Sequence, residues 1–233
     1  MTIQEYYSHP AVRERIIEYL GGDSLESATA VFVAHGSVGS TRRIFPRPTA
    51  ELDGLLCQGV DIARSLWDHR SFLIHFDIEY VNFDSPSVPY DDHLRTYTLQ
   101  QPAIDSLLAT LRSFGIQPLH FLSGRGHHLI WRIEHGSEAF GQLVEIGALS
   151  PEVQQYYAHH AVLDTYRVDP VLGKAYSGLG MVIEFLTDLV IQHAGPRCQL
   201  PVTLSDVEVE PQQRGRETIS VDVSEYSDPL NTR

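Results

Sequence analysis

Lysine is almost missing from this chain: Lys174 is the only one among 17 basic residues, against 30 acidic ones. The formal net charge of −13 excludes a broad basic surface for gripping nucleic acid. Any polyanion must be held locally, by a few arginines, by metal ions or by a partner. Positive charge is nearly all guanidinium, which suits bidentate phosphate contacts. Cysteine is scarce as well. Cys57 and Cys198 stand far apart and form no C-x-x-C pair, so neither a disulfide framework nor a structural zinc is expected. A reducing, cytoplasmic setting is the expectation that follows. No apolar run is long enough for a bilayer, and Met1-Thr2-Ile3-Gln4-Glu5 lacks the basic start and hydrophobic core of a secretion signal. No membrane partner is expected. Internal repeats, low-complexity tracts and an obvious linker are also lacking.

What the chain does contain is 233 residues of ordinary globular composition, enough for one large domain or two small lobes sharing a core. Its most informative stretch is Phe72-Leu73-Ile74-His75-Phe76-Asp77-Ile78-Glu79-Tyr80. The run is apolar and β-prone, so it predicts a buried strand interrupted by two acids. Strand side chains alternate faces, so Asp77 and Glu79 leave one face together while Phe76, Ile78 and Tyr80 take the other. Two like charges this close resist burial unless a cation or a proton sits between them. Oxygen ligands suit magnesium or manganese. A pair of acids at a sheet edge facing water is the plainer alternative.

Read in order, Ser8-His9-Pro10 opens a helix that Gly21-Gly22 stops. Residues 28–34 predict a short strand, and Gly36 to Arg43 a small-residue loop ending in two arginines. Thr49 caps a helix expected to carry Leu52, Leu55, Leu56, Val60, Ile62, Ala63 and Leu66. Beyond the acid-bearing strand, residues 84–92 read as a proline-broken loop. A long helix is expected from about Leu99 to Phe114, then a hairpin of two strands, residues 118–122 and 129–133, joined by Ser123-Gly124-Arg125-Gly126-His127-His128. Helices are expected from Ser150-Pro151-Glu152, from Asp169-Pro170 and over Met181 to His193. A last strand, Thr218 to Ser224, sets Asp222 among β-branched residues.

Three acids on two strands, Asp77, Glu79 and Asp222, can hold two divalent ions of the kind that serve phosphoryl transfer. Glu225 and Asp228 compete with Asp222 for the third position, which its place within the strand favours. In the hairpin turn, Gly124 and Gly126 let backbone N–H groups approach a phosphate. Ser123 can donate a hydrogen bond, Arg125 a charged one, and His128 can hold a triphosphate oxygen. His127 and His128 alternate faces, so only one of them enters the site.

These residues resemble the archaeo-eukaryotic primase superfamily, which includes primase-polymerases and the polymerase domains of bacterial end-joining ligases. Phe76-Asp77-Ile78-Glu79 is similar to its first motif, hydrophobic-Asp-hydrophobic-Asp/Glu. Ser123-Gly124-Arg125-Gly126-His127-His128 is similar at every position to its Ser-Gly-x-Gly-x-His hairpin. Val221-Asp222 is similar to its short third motif. The resemblance implies an α+β fold: an RRM-like antiparallel catalytic sheet with flanking helices, about residues 71–233, beside an N-terminal α/β lobe, about 1–70. It implies Asp77, Glu79 and Asp222 as catalytic metal holders for Mg2+ or Mn2+. It also implies Ser123, Gly124, Arg125, Gly126 and His128 as nucleotide binders, with Arg233 as a candidate basic residue beyond the third motif. The expected activity is template-directed nucleotidyl transfer from NTPs or dNTPs on single-stranded or primer-template DNA, as in replication priming. A helicase or C-terminal accessory domain is an expected partner, since the stop at Arg233 resembles a boundary inside a longer chain. Alternatives are a gap-filling repair polymerase of the same superfamily, a rolling-circle nicking enzyme, and a non-enzymatic nucleotide-binding module. The nicking enzyme needs a His-hydrophobic-His strand, which adjacent His127-His128 do not provide.

Overall fold

A computed structural model describes residues 2–30, 33–36, 45–58, 61–64, 70–152, 154–155, 170–205 and 217–223. Within them the chain is a mixed α+β structure with seven delimited α-helices and a five-stranded mixed sheet. Its first elements are short. α1 (Ile3–Ser8) starts in a reciprocal cap, with the Thr2 hydroxyl accepting from the Glu5 N–H and the Glu5 carboxylate accepting from the Thr2 N–H. α2 (Pro10–Tyr19) follows, capped by His9 with proline in its first turn. β1 (Val33–Gly36) pairs antiparallel with both β2 (Phe45–Arg47) and β3 (Asp61–Arg64). A 3-10 turn over Thr49–Glu51 leads into α3 (Leu52–Cys57).

The helix expected to run on to Leu66 therefore stops at Cys57, and Ile62 and Ala63 lie on a strand instead. Apolar spacing alone cannot separate a buried strand from a helix segment. Pairing with β1 decides the case. The glycine-rich loop after Gly36 lies outside the described residues.

β4 (Ser71–Asn82) is the longest strand and the centre of the five-stranded sheet. After it come α4 (Val88–Asp91), inside the segment expected to be a plain loop, and α5 (His93–Ser113). α5 starts earlier than its apolar face predicts, because the Asp92 side chain accepts from the Arg95 N–H at 3.1 Å. β5 (Leu119–Leu122) and β6 (Gly126–Glu134) form the hairpin. α6 (Glu138–Ile146), capped by Ser137, was not foreseen. α7 (Pro170–Ala194) is one helix of 25 residues where two were expected. β7 (Val202–Ser205) and β8 (Glu217–Asp222) complete the sheet. Pro151 and Glu152 are helical, while 156–169 lie outside the described residues.

Spatial order is β5-β6-β4-β8-β7, antiparallel except for the parallel β7–β8 pair. The even-numbered side chains of β4, Phe72, Ile74, Phe76 and Ile78, are buried in a core with Ile104, Leu107 and Leu111 of α5 and Tyr176, Leu179 and Ile183 of α7. Each such side chain contributes roughly 1.5–3 kcal/mol of burial. A second cluster joins Leu20 and Ala30 to Leu52, Leu55 and Leu56 of α3. Tyr19 bridges the two. It packs edge-on against Phe121 of β5 at 5.8 Å, and its carbonyl accepts from the fully buried Arg64 at 2.8 Å. Among the described residues, no helix is long and apolar enough to cross a membrane.

Leu107 has no exposed surface and lies midway along the helix that backs β4. Leu107→Ala should lower the unfolding free energy by about 2–5 kcal/mol, read by urea denaturation. A change below about 1 kcal/mol would mean that this face of α5 is not core.

Candidate functional site

The odd-numbered face of β4 carries the chemistry. Register partners in an antiparallel ladder share a face. Asp77 is the partner of His128 on β6 and of Asp222 on β8. His128 in turn is the partner of Phe121 on β5. One row therefore crosses the sheet as Phe121, His128, Asp77, Asp222, and Tyr19 of the N-terminal elements closes its β5 end. Glu79, one step along β4, faces Gly126 and Ser220; His75, one step the other way, faces Ile130.

Burial sharpens this arrangement. Asp77 and His75 are each 2% exposed, whereas Asp222 is half-buried. Directly opposed side chains stand roughly 4.5–5.5 Å apart at Cβ, and like charges there are destabilising. Asp77 and Asp222 occupy that relation. Nitrogen groups collect on the other side. The Arg125 guanidinium holds the Glu79 carboxylate at 2.7 Å, and His128 Nδ1 lies 3.6 Å from the nearer Asp77 oxygen. Burial alone would lower the Arg125 pKa, but the hydrogen bond and charge of Glu79 outweigh it and raise it. His75 Nε2 and His128 Nδ1 are 2.7 Å apart, with their rings stacked at 4.8 Å.

The hairpin turn closes on itself. The Ser123 N–H donates to the Gly126 carbonyl at 2.9 Å, and the Gly126 N–H donates to the Ser123 hydroxyl at 3.0 Å. The Tyr97 hydroxyl of α5 donates to the Ser123 carbonyl, and Gln100 donates to the Arg125 carbonyl at 3.1 Å. The two glycines have separate steric reasons. A Cβ at Gly126 would stand 2.1 Å from the Ile78 carbonyl oxygen, so β6 approaches β4 there only without a side chain. A Cβ at Gly124 would meet the Tyr90 ring at 2.6 Å, and that ring is exposed and free to swing away.

His127 takes the other face, among the helices. Its Nδ1 lies 2.8 Å from His120 Nε2, and its ring packs edge-on to Tyr97. Burial first, and the neighbouring His120 second, push its pKa down to about 4. Burial also lowers that of His120.

His128, Asp77 and Asp222 thus share one row, with Glu79 and Arg125 beside it. Ser123, Gly124 and Gly126 shape the turn. Arg233, Glu225 and Asp228 lie outside the described residues. His75 had no functional reading from the sequence, although its place two residues before Asp77 puts it on the acid face by strand alternation alone. His75, Asp77 and His128 offer ligand atoms that all lie within 4.8 Å of one another. Comparisons with family models, with curated proteins and with solved structures found no match.

Two outcomes follow from this geometry. Gly126→Ala forces backbone against backbone and should cost about 1–3 kcal/mol in urea denaturation, whereas Gly124→Ala should cost much less; equal costs would overturn the steric assignment. The second concerns acid. The unfolded chain protonates His127 near pH 6.5, the folded chain only near 4. In that window the unfolded state carries more protons, so stability is complete above pH 6.5 and falls towards pH 4, by on the order of 3 kcal/mol. His127→Phe should flatten the fall; an unchanged slope would assign it to other groups.

Proposed function

We propose that the chain is a metal-dependent nucleotidyl transferase of the primase-polymerase type, joining nucleotides on a DNA template. The observation that carries this reading is the single row in which Asp77 faces Asp222 on one side and His128 on the other. Further support comes from the chain path. Among the described residues, β4, α5, β5, β6, α6, α7 and β8 follow in that order along the chain, and the strands take the spatial order β5-β6-β4-β8 with β7 at the edge, an order that the proposed RRM-like sheet requires.

The donor chemistry fits a divalent ion. Asp77 and Asp222 oppose each other across the ladder, one of them buried, and Glu79 stands one step along the strand. These three residues would hold Mg2+ or Mn2+, which when bound supplies charge stabilisation to the attacking and leaving oxygens of phosphoryl transfer. The chain's own groups do the rest. Arg125, half-exposed and paired to Glu79, exchanges that carboxylate for a phosphate oxygen when a nucleotide arrives. His128 sits beside Asp77, so a ring N–H directed at the triphosphate orients it over the acid row. The closed turn of Ser123 and Gly126 fixes the backbone from which Arg125 extends.

One observation favours a second reading. His75 and His128 meet from neighbouring strands, so two histidines can share one metal ion without the single-strand motif of a rolling-circle nicking enzyme. That enzyme would leave a covalent protein–DNA adduct.

Incubation with single-stranded template, NTPs or dNTPs and Mn2+ should give extended products. Asp77→Ala should lower the rate at least about 100-fold, as loss of a group acting on transition-state charge does. Arg125→Ala should mainly raise the nucleotide KM. Extension of a supplied primer without new starts would indicate gap filling. Wild type as silent as Asp77→Ala on every template would end the proposal.

A further inference from the structure

The geometry points to a transition-metal site made by His75 Nε2, Asp77 and His128 Nδ1, selective for borderline divalent ions such as Zn2+ or Co2+ over Mg2+. It shares Asp77 and His128 with the proposed nucleotidyl-transfer centre but does not rest on that reading.

The donor set is the first argument. Two imidazoles and one carboxylate suit zinc, cobalt or nickel, whereas magnesium seeks oxygen ligands and keeps its water. Spacing is the second. Two ligands held by one ion at about 2.0–2.1 Å stand roughly 3.0–3.4 Å apart. The observed separations bracket that range: 2.7 Å between the ring nitrogens and 3.6 Å from His128 Nδ1 to Asp77. All three ligand atoms lie within 4.8 Å of one another, close enough for side-chain adjustment to gather them around one centre. Burial is the third. His75 and Asp77 are each 2% exposed and stand on adjacent odd positions of a central strand, so their backbones do not move independently. Three protein ligands leave further coordination positions for water or a phosphate oxygen, as in an open rather than a structural zinc site.

The experiment is calorimetric titration of the untagged full chain with Zn2+ and, in parallel, Co2+ titration followed by visible absorption, both without nucleotide. The expected result is one equivalent of Zn2+ per chain that excess Mg2+ does not displace, with visible Co2+ bands of nitrogen ligation. His75→Gln and His128→Gln should each bind at least about tenfold more weakly, while Asp222→Asn and Glu79→Gln retain the site. Wild-type binding that His75→Gln leaves unchanged would overturn the assignment, as would no stoichiometric Zn2+ binding at all. Should both histidine variants fail to fold, imidazole resonances of the wild-type chain decide: shifts confined to His75 and His128 on adding Zn2+ support the site, and their absence overturns it. Because no nucleotide is used, a silent polymerase assay leaves this result standing, and a failed titration leaves the polymerase assay standing.

Discussion

The antiparallel pairing of β4 on both of its sides is the constraint on which the rest depends. A strand paired on one side only would leave Asp77 at an edge, where water screens it. Here β6 and β8 enclose it, and their registers put an imidazole on one flank and a second carboxylate on the other. The hydrogen-bond ladder and the core beneath Phe76 and Ile78 hold the strand in place. The negative charges are therefore brought together by forces that have nothing to do with charge. Apolar burial on the even face, at roughly 25 cal/mol per Å2, sustains an unfavourable arrangement on the odd face.

Arginine and histidine side chains then distribute around that row according to reach. Arg125 extends from the hairpin turn to Glu79, and the stacked pair His75 and His128 lies next to Asp77. The opposite face shows a different solution to a buried polar group. Burial keeps His127 neutral, and its ring nitrogen is hydrogen-bonded to that of His120. Two adjacent histidines in sequence thus have unlike chemistry, because the pleat sends one to the acids and the other to the helices.

Much of this was legible beforehand. Alternation alone placed Asp77 with Glu79 and separated His127 from His128. The hairpin was readable from its glycines between two apolar runs, and the last strand from its β-branched residues. Other elements were not. α1 depends on a capping box of only six helical residues, β3 on pairing with β1, and α7 on continuous packing across a glycine-containing middle that locally suggests a break. Gly124 and Gly126 look alike in the sequence, yet only Gly126 is pressed against another strand's backbone.

The amino-acid order specified which groups share a face, since the two-residue period of a strand is local and independent of what pairs beside it. It also specified the supply of charge: scarce lysine, many acids and a few arginines at turns. Which residues stand opposite one another was a tertiary decision. Asp77 meets Asp222, with 144 residues between them in the sequence, only because the core selects one register of β4 with β8. His75 meets His128 for the same reason on the other side. A one-residue slip would turn every one of these side chains to the opposite face, and burial of the even-numbered apolar residues forbids it.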